Sequence, residues 1–166
     1  MELDVLVEDA RWDALNLEKL AHAAVSATLD HLDFDRLICE ASVLACDDAR
    51  IAVLNGDFRD KSTATNVLSW PAEDRAAKEP GDVPERLTKG IDGTIALGDI
   101  ALAFETCARE ALEMQIPFQD HITHLLVHGT LHLLGYDHIR DPDATLMQGI
   151  ETEILGKMGL NDPYSL

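Results

Sequence analysis

The chain has 166 residues, 46% of them hydrophobic, which suits one domain with a real core and excludes a disordered polymer. Against 31 Asp and Glu stand 13 Lys and Arg, a formal charge of −18 that argues against non-specific adhesion to membranes or nucleic acid; any nucleic-acid substrate needs a local basic cleft. No apolar run approaches the roughly 20 residues of a membrane span, and Met1-Glu2-Leu3-Asp4 lacks the basic and apolar regions of a signal peptide, so a soluble cytoplasmic protein is expected. Cys39, Cys46 and Cys107 are odd in number and form no C-x-x-C pair, which predicts reduced thiols in or near the core.

Alternation of apolar Leu3, Val5 and Val7 predicts a first strand over 2–8. Asn16 is placed to cap a helix over 17–32, with Leu20, Ala24, Ala27, Leu29 and Leu32 near one face and Lys19, His22 and His31 at the surface. Residues 37–46 read as a second strand. Asp47-Asp48 opens a helix over 49–55, with Gly56 as its stop. A polar stretch from Asp57 to Asn66 carries Arg59 and Lys61, then Val67-Leu68-Ser69-Trp70-Pro71 reads as a short strand that proline confines to a sheet edge or end.

Residues 73–88 are charged and contain Pro80, Gly81 and Pro84, a solvated and mobile loop joining two strands. The next strand, 94–101, holds Gly98-Asp99, the mark of a bulge or a close backbone approach. A helix follows over 103–114, and a second from Pro117 to Leu134. Asp141-Pro142-Asp143 is placed to cap a last helix over 144–158, with Met147, Ile150, Ile154 and Leu155 facing inward. There is no repeat and no linker. The expected fold is α+β: a single domain over 1–166 with a mixed β-sheet of about four strands packed with helices.

Chemistry concentrates in His128-Gly129-Thr130-Leu131-His132-Leu133-Leu134-Gly135-Tyr136-Asp137-His138. His128 and His132 are one helical turn apart and project from one face. Gly135 can end the helix at positive φ and let His138 swing back toward them. Three neutral imidazoles leave a fourth tetrahedral position for a zinc-bound water, as in catalytic zinc sites. The spacing is that of the long zinc-protease signature, but Gly129 stands where the protease has its glutamate base, which argues against proteolysis.

His121 and His124 share the broad face of this helix. His124 reads as a packing residue or as a support behind the ligands, His121 as more exposed. Asp137 could orient a ligand imidazole or close the turn after Gly135. Tyr136 reads as packing.

The run from His128 to His138 resembles the H-G-x-L-H-L-x-G-Y-D-H signature of the YbeY family, bacterial endoribonucleases and ribosomal RNA maturation factors. Two further blocks match in order. Leu54-Asn55 through Phe58-Arg59 and then Thr65 to Pro71 resembles L-N-x-x-[FY]-R…T-D-V-L-S-F-P; Leu97-Gly98-Asp99-Ile100 resembles L-G-D-I. Asn66 departs from the family's usual aspartate and Trp70 from its phenylalanine. The resemblance covers residues 50 to 140.

It implies one zinc ion on His128, His132 and His138, a phosphate-binding role for Arg59 at the transition state, and Ser69 as a residue of the cleft. It further implies a single-strand-specific endoribonuclease acting in 16S ribosomal RNA 3′-end maturation and ribosome quality control. Its partners would be ribosomal RNA and the ribosome, with a ribosomal or assembly protein to bring an acidic enzyme to RNA. The metal-bound water, its pKa lowered toward about 7, would be nucleophile or base. The competing readings are a hydrolase of another substrate and an assembly factor that works chiefly by binding.

Overall fold

A computed structural model describes residues 1–59 and 62–164, the side chains of Phe58 and Arg59 excepted. Strands β1 (Glu2–Val7) and β2 (Cys39–Cys46) are each followed by a helix, α1 (Leu17–His31) and α2 (Asp48–Arg59); strands β3 (Val67–Pro71) and β4 (Ile95–Ala103) come next, and then helices α3 (Phe104–Met114), α4 (Phe118–Leu133) and α5 (Asp141–Lys157). The sheet order is β1-β2-β4-β3. β1, β2 and β4 run parallel, and β3 pairs antiparallel with β4 at one edge. This is the expected single-domain α+β architecture with a four-stranded mixed sheet.

Strand β4 shows why Gly98 is where it is. Ile95 and Leu97 face one side of the sheet, and so do Ile100 and Leu102, although the parity of the numbering has changed. A register irregularity between Glu40 and Ala41 on β2, opposite Ala96 and Gly98, absorbs the extra residue and keeps the apolar side inward. Gly98 has φ of +132°, and a Cβ there would lie 2.1 Å from the Trp70 carbonyl oxygen. Bulge and close approach thus occur together.

The main core lies between that face and helices α1 and α4. Val25 and Leu29 from α1, Leu126, Leu131 and Leu133 from α4, and Met147 and Ile154 from α5 are fully buried in it. Helix α4 is apolar on most sides because it is the central helix, crossed by α1, α3, α5 and β3. A smaller cluster of Cys46, Ile51, Leu68 and Ala101 lies beneath α2 on the opposite face. All three cysteines are buried and free, as expected.

Several boundaries differ from the sequence reading. Arg36–Ile38 is a 3-10 turn closed by the Asp35 side chain, so β2 begins at Cys39 rather than 37. Helix α2 runs through Gly56 instead of stopping there; the missing side chain makes room for the Ser62 hydroxyl, 2.7 Å from where a Cβ would sit. Helix α5 starts after Arg140 with no side-chain cap, because Asp143 turns instead to the Gly81 amide and the Arg140 guanidinium. Asn16 does cap α1, accepting from the Lys19 amide. His31 is not a free surface residue: its Nε2 meets Glu153 at 2.9 Å and its Nδ1 meets Lys157 Nζ at 2.7 Å, tying α1 to α5.

The β3–β4 connection is less solvated than its composition suggests. Arg75 is only 3% exposed. Its guanidinium donates to the carbonyls of Leu133 at 2.9 Å and Ala96 at 3.0 Å, capping the last turn of α4, where the helix dipole favours a cation. Its backbone carbonyl accepts from the Glu85 amide. Arg140 donates to the carbonyls of Ala77 and Lys78, so this part of the loop is fastened to the start of α5.

Candidate metal centre

Helix α4 ends in a Schellman turn. The Tyr136 amide donates to Leu131 C=O and the Gly135 amide to His132 C=O, both at 3.0 Å. Gly135 sits at φ +103°, and a Cβ there would lie 2.6 Å from the Arg75 carbonyl oxygen, so both the turn and the loop packing demand glycine. The reversal brings His138 back over the helix. The ring centroids of His132 and His138 are 4.9 Å apart, those of His128 and His132 4.6 Å. One ring nitrogen from each of the three histidines lies within 4.8 Å of those of the other two.

The ring protons can be assigned from the partners. His128 Nδ1 lies 2.7 Å from Glu151 Oε1, and a carboxylate can only accept. His132 Nδ1 lies 3.0 Å from the Tyr136 carbonyl oxygen, another pure acceptor. Each Nδ1 therefore carries a hydrogen, and in the neutral form that a metal ligand must have, each ring turns a bare Nε2 lone pair toward the cleft. Those two Nε2 atoms face each other at 3.0 Å. Two lone pairs at that distance repel unless a cation lies between or beside them. For zinc–nitrogen bonds of about 2.0–2.1 Å, tetrahedral ligand atoms sit about 3.4 Å apart, so the pair needs little adjustment. Burial, with the neighbouring His128 and His138, pushes His132 down to about 4, which keeps it in the neutral form a metal ligand must have. The donor set fits zinc or another imidazole-binding transition metal.

Glu151 is the residue that sequence reasoning missed. It is fully buried on α5. Its Oε1 holds His128, and its Oε2 accepts from His124 Nε2 at 2.9 Å and Tyr164 Oη at 2.7 Å. Burial would raise its carboxyl, but the hydrogen bonds from His124, His128 and Tyr164 outweigh that and hold it at about 2. His124, His128 and Glu151 also form a group close enough to hold a metal. With three donors already on the carboxylate, the arrangement suits a support for His128 better than a second ion. His124 is thus linked to His128 through Glu151.

The remaining site residues fall as follows. His138 stands exposed at the cleft mouth. Asp137 Oδ1 accepts from the His138 amide at 2.7 Å. Tyr136 is buried, as expected of packing. Ser69 lines the cleft, its hydroxyl 3.4 Å from the Gly129 carbonyl oxygen. A side chain on Gly129 would meet Ile100 and that hydroxyl at 3.2 Å, so close packing of α4 on the sheet occupies the place of the protease's base.

His121 corrects the expectation of exposure. It is 3% exposed, with Nε2 on Glu110 Oε1 at 2.9 Å. Asn66 donates its amide to the same carboxylate at 3.0 Å, a donor role that an ionised aspartate could not fill. Arg59 is the last residue of α2, and its side chain lies outside the described residues. The cleft has a volume of about 470 Å³ and is walled by β3, the Arg75 segment and the three histidines.

Known proteins fit this arrangement along nearly the whole chain. The family model described as Endoribonuclease YbeY matches residues 4–159. A protein named Endoribonuclease YbeY from Ruegeria pomeroyi is 57% identical over 166 residues, covering 100% of this chain and 99% of the relative. One of the same name from Agrobacterium fabrum is 41% identical over 172 residues, covering 99% and 95%. The solution structure of TM1509 from Thermotoga maritima aligns over 99% of both chains with a TM-score of 0.55 at 20% identity, a likeness of fold alone. A match of this length, with the motif histidines gathered at one cleft, means that the chain belongs to the endoribonuclease YbeY family.

Proposed function

We propose that residues 1–166 form a metal-dependent endoribonuclease domain that cuts single-stranded ribosomal RNA, in 16S 3′-end maturation and ribosome quality control. The observation that carries the metal is the pair of Nε2 atoms facing each other 3.0 Å apart, with His138 beside them, in an open cleft; the family carries the RNA. Zinc on His128, His132 and His138 would supply a Lewis acid for a phosphoryl oxygen and an acidified water. The chain's own part is to orient both α4 imidazoles, through Glu151 and the Tyr136 carbonyl, and to hold the third ligand on a glycine turn. Arg59 is assigned to the phosphate, where a planar, permanently charged group binds two oxygens at once. That substrate implies a cytoplasmic protein. Among the described residues no helix is long and apolar enough to cross a membrane.

A charge of −18 favours delivery to RNA by a ribosomal or assembly protein over unaided capture. Peptide hydrolysis is disfavoured by the packing of Gly129.

The test is cleavage of a single-stranded ribosomal RNA fragment by the zinc-loaded protein, run beside His132→Ala and Arg59→Ala, with zinc per chain measured in each. His132→Ala should lose zinc and at least a hundredfold in rate, a scale set by the smaller losses seen when only a ligand's support is removed. Arg59→Ala should lose rate with its zinc intact. Cutting by wild type and His132→Ala alike would sink the assignment.

A further inference from the structure

The edge of β3 that borders the cleft has an uneven supply of hydrogen-bonding groups. In an antiparallel ladder, successive residues turn their backbone groups alternately toward and away from the partner strand. The Ala103 amide donates to Asn66 C=O, and the Ala72 amide donates to Leu97 C=O, both at 3.0 Å. Residues 66, 68, 70 and 72 therefore face β4. Val67, Ser69 and Pro71 turn their backbone groups to the free edge, and these residues line the same cleft as His128, His132 and His138.

Of these three edge residues, only Ser69 has a backbone N–H without a partner among the described residues. The Val67 N–H is taken by the Asn66 side-chain oxygen at 2.6 Å. Pro71 has no N–H. The Ser69 N–H remains, with the Val67 carbonyl two residues before it pointing the same way. An incoming peptide strand needs a donor at every second residue, so this edge is blunted against strand addition. An acceptor beside a single donor suits something smaller. The Watson–Crick edge of each RNA base has one donor next to one acceptor: N6–H and N1 of adenine, N4–H and N3 of cytosine, N1–H and O6 of guanine, N3–H and O4 of uracil.

We propose that the Val67 carbonyl and the Ser69 amide form a base-binding subsite for an unpaired nucleotide beside the scissile phosphate. The inference rests on the endoribonuclease reading and deepens it. It supplies a physical reason for single-strand specificity, since a paired base has no free Watson–Crick edge to offer. It also makes recognition tolerant of sequence, since every base can satisfy the same acceptor and donor by its orientation in the plane.

The experiment compares a uridine oligoribonucleotide with its fully 3-methyluridine counterpart, whose N3 donor is blocked, as substrates of the full-length zinc-loaded protein. We expect kcat/KM to fall tenfold or more on methylation, because the Val67 carbonyl then loses its donor. In Ser69→Pro, whose missing N–H lies on the free edge where proline is tolerated, the subsite is already broken, and methylation should cost less than threefold. Should that variant not fold, the amide nitrogen resonance of Ser69 in the wild-type protein, titrated with a 2′-O-methyl uridine oligonucleotide, gives the second reading: a shift with the unmethylated base and none with 3-methyluridine. Equal cleavage of the two substrates by the wild type, or a Ser69 resonance that moves identically with both, overturns the subsite while leaving the nuclease intact. No cleavage of either substrate, beside a ribosomal fragment that is also uncut, overturns the endoribonuclease reading itself.

Discussion

Two glutamates, Glu110 of α3 and Glu151 of α5, pair with histidines of helix α4, and only one of them belongs to a candidate centre. His121 meets Glu110 at 2.9 Å and His128 meets Glu151 at 2.7 Å. What separates them is the far side of each ring and the setting of each carboxylate. Among the described residues the other nitrogen of His121 is buried with no partner, whereas that of His128 faces His132 across an open cleft. The Glu110 side chain is 30% exposed; Glu151 is sealed and has three donors. A histidine–carboxylate pair therefore becomes a metal support when the carboxylate is immobile and the ring's second nitrogen looks into space shared with other ligands.

The largest way to break this comparison is Glu151→Ala. It strips the acceptor from His124, His128 and Tyr164 at once. We expect a loss of about 3 kcal/mol or more in denaturant unfolding, with zinc affinity at least tenfold weaker by titration. Glu110→Ala should cost about 1 kcal/mol and leave zinc affinity unchanged. Equal effects of the two variants on zinc would erase the distinction.

Acid gives a second break. Glu151 is held at about 2, below its ordinary 4.5, so its contribution is complete above pH 4.5 and is lost as pH falls toward 2. By linkage that is about 3 kcal/mol. His132 is also held low, at about 4 against 6.5. The unfolded chain therefore takes up that proton first, and stability falls between pH 6.5 and 4 as well. Unfolding of the metal-free protein across this range should show both losses, and Glu151→Gln should remove the lower one.

Asn66→Asp sharpens the other pair. It replaces an amide donor to Glu110 by a second carboxylate and should cost about 1 kcal/mol at neutral pH, recovered in the Glu110→Gln background; thermal unfolding reads both. Tyr164→Phe should have the smallest effect. It removes one of three donors from Glu151, for about 1 kcal/mol of stability and a zinc affinity weakened only a few-fold.

The histidine triad was legible before the fold because its geometry is local. Helical spacing sets His128 and His132 on one face, and a glycine at the helix end returns the chain to His138. Glu151 was not legible, because it lies on another helix and reaches His128 only through the packing of α5 on α4. The same cause hid His121, whose burial is decided by α3, and Arg75, whose charge in a polar loop suggested solvent. The α2 boundary failed differently. Gly56 was read as a stop, yet its role is the approach of Ser62. The strand alternation and the Gly98 bulge were visible in residue pattern, since both follow from which side of a pleat each residue takes.

Arg75 also divides the β3–β4 connection into two parts with different freedom. Up to Glu85 the chain is tethered at Arg75, Ala77, Lys78 and Gly81 and serves as cleft wall. Beyond it, residues 88–93 are exposed. Loop-closure entropy grows only logarithmically with length, about 0.6 kcal/mol per doubling. The second part can therefore lengthen, shorten or take a tag at slight cost, while a single inserted residue between Trp70 and Arg75 would shift the cap from the end of α4 and the wall from the histidines. In this molecule the dimensions of the cleft are set by an arginine at a helix end, and only the part of its loop beyond Glu85 is left free in length.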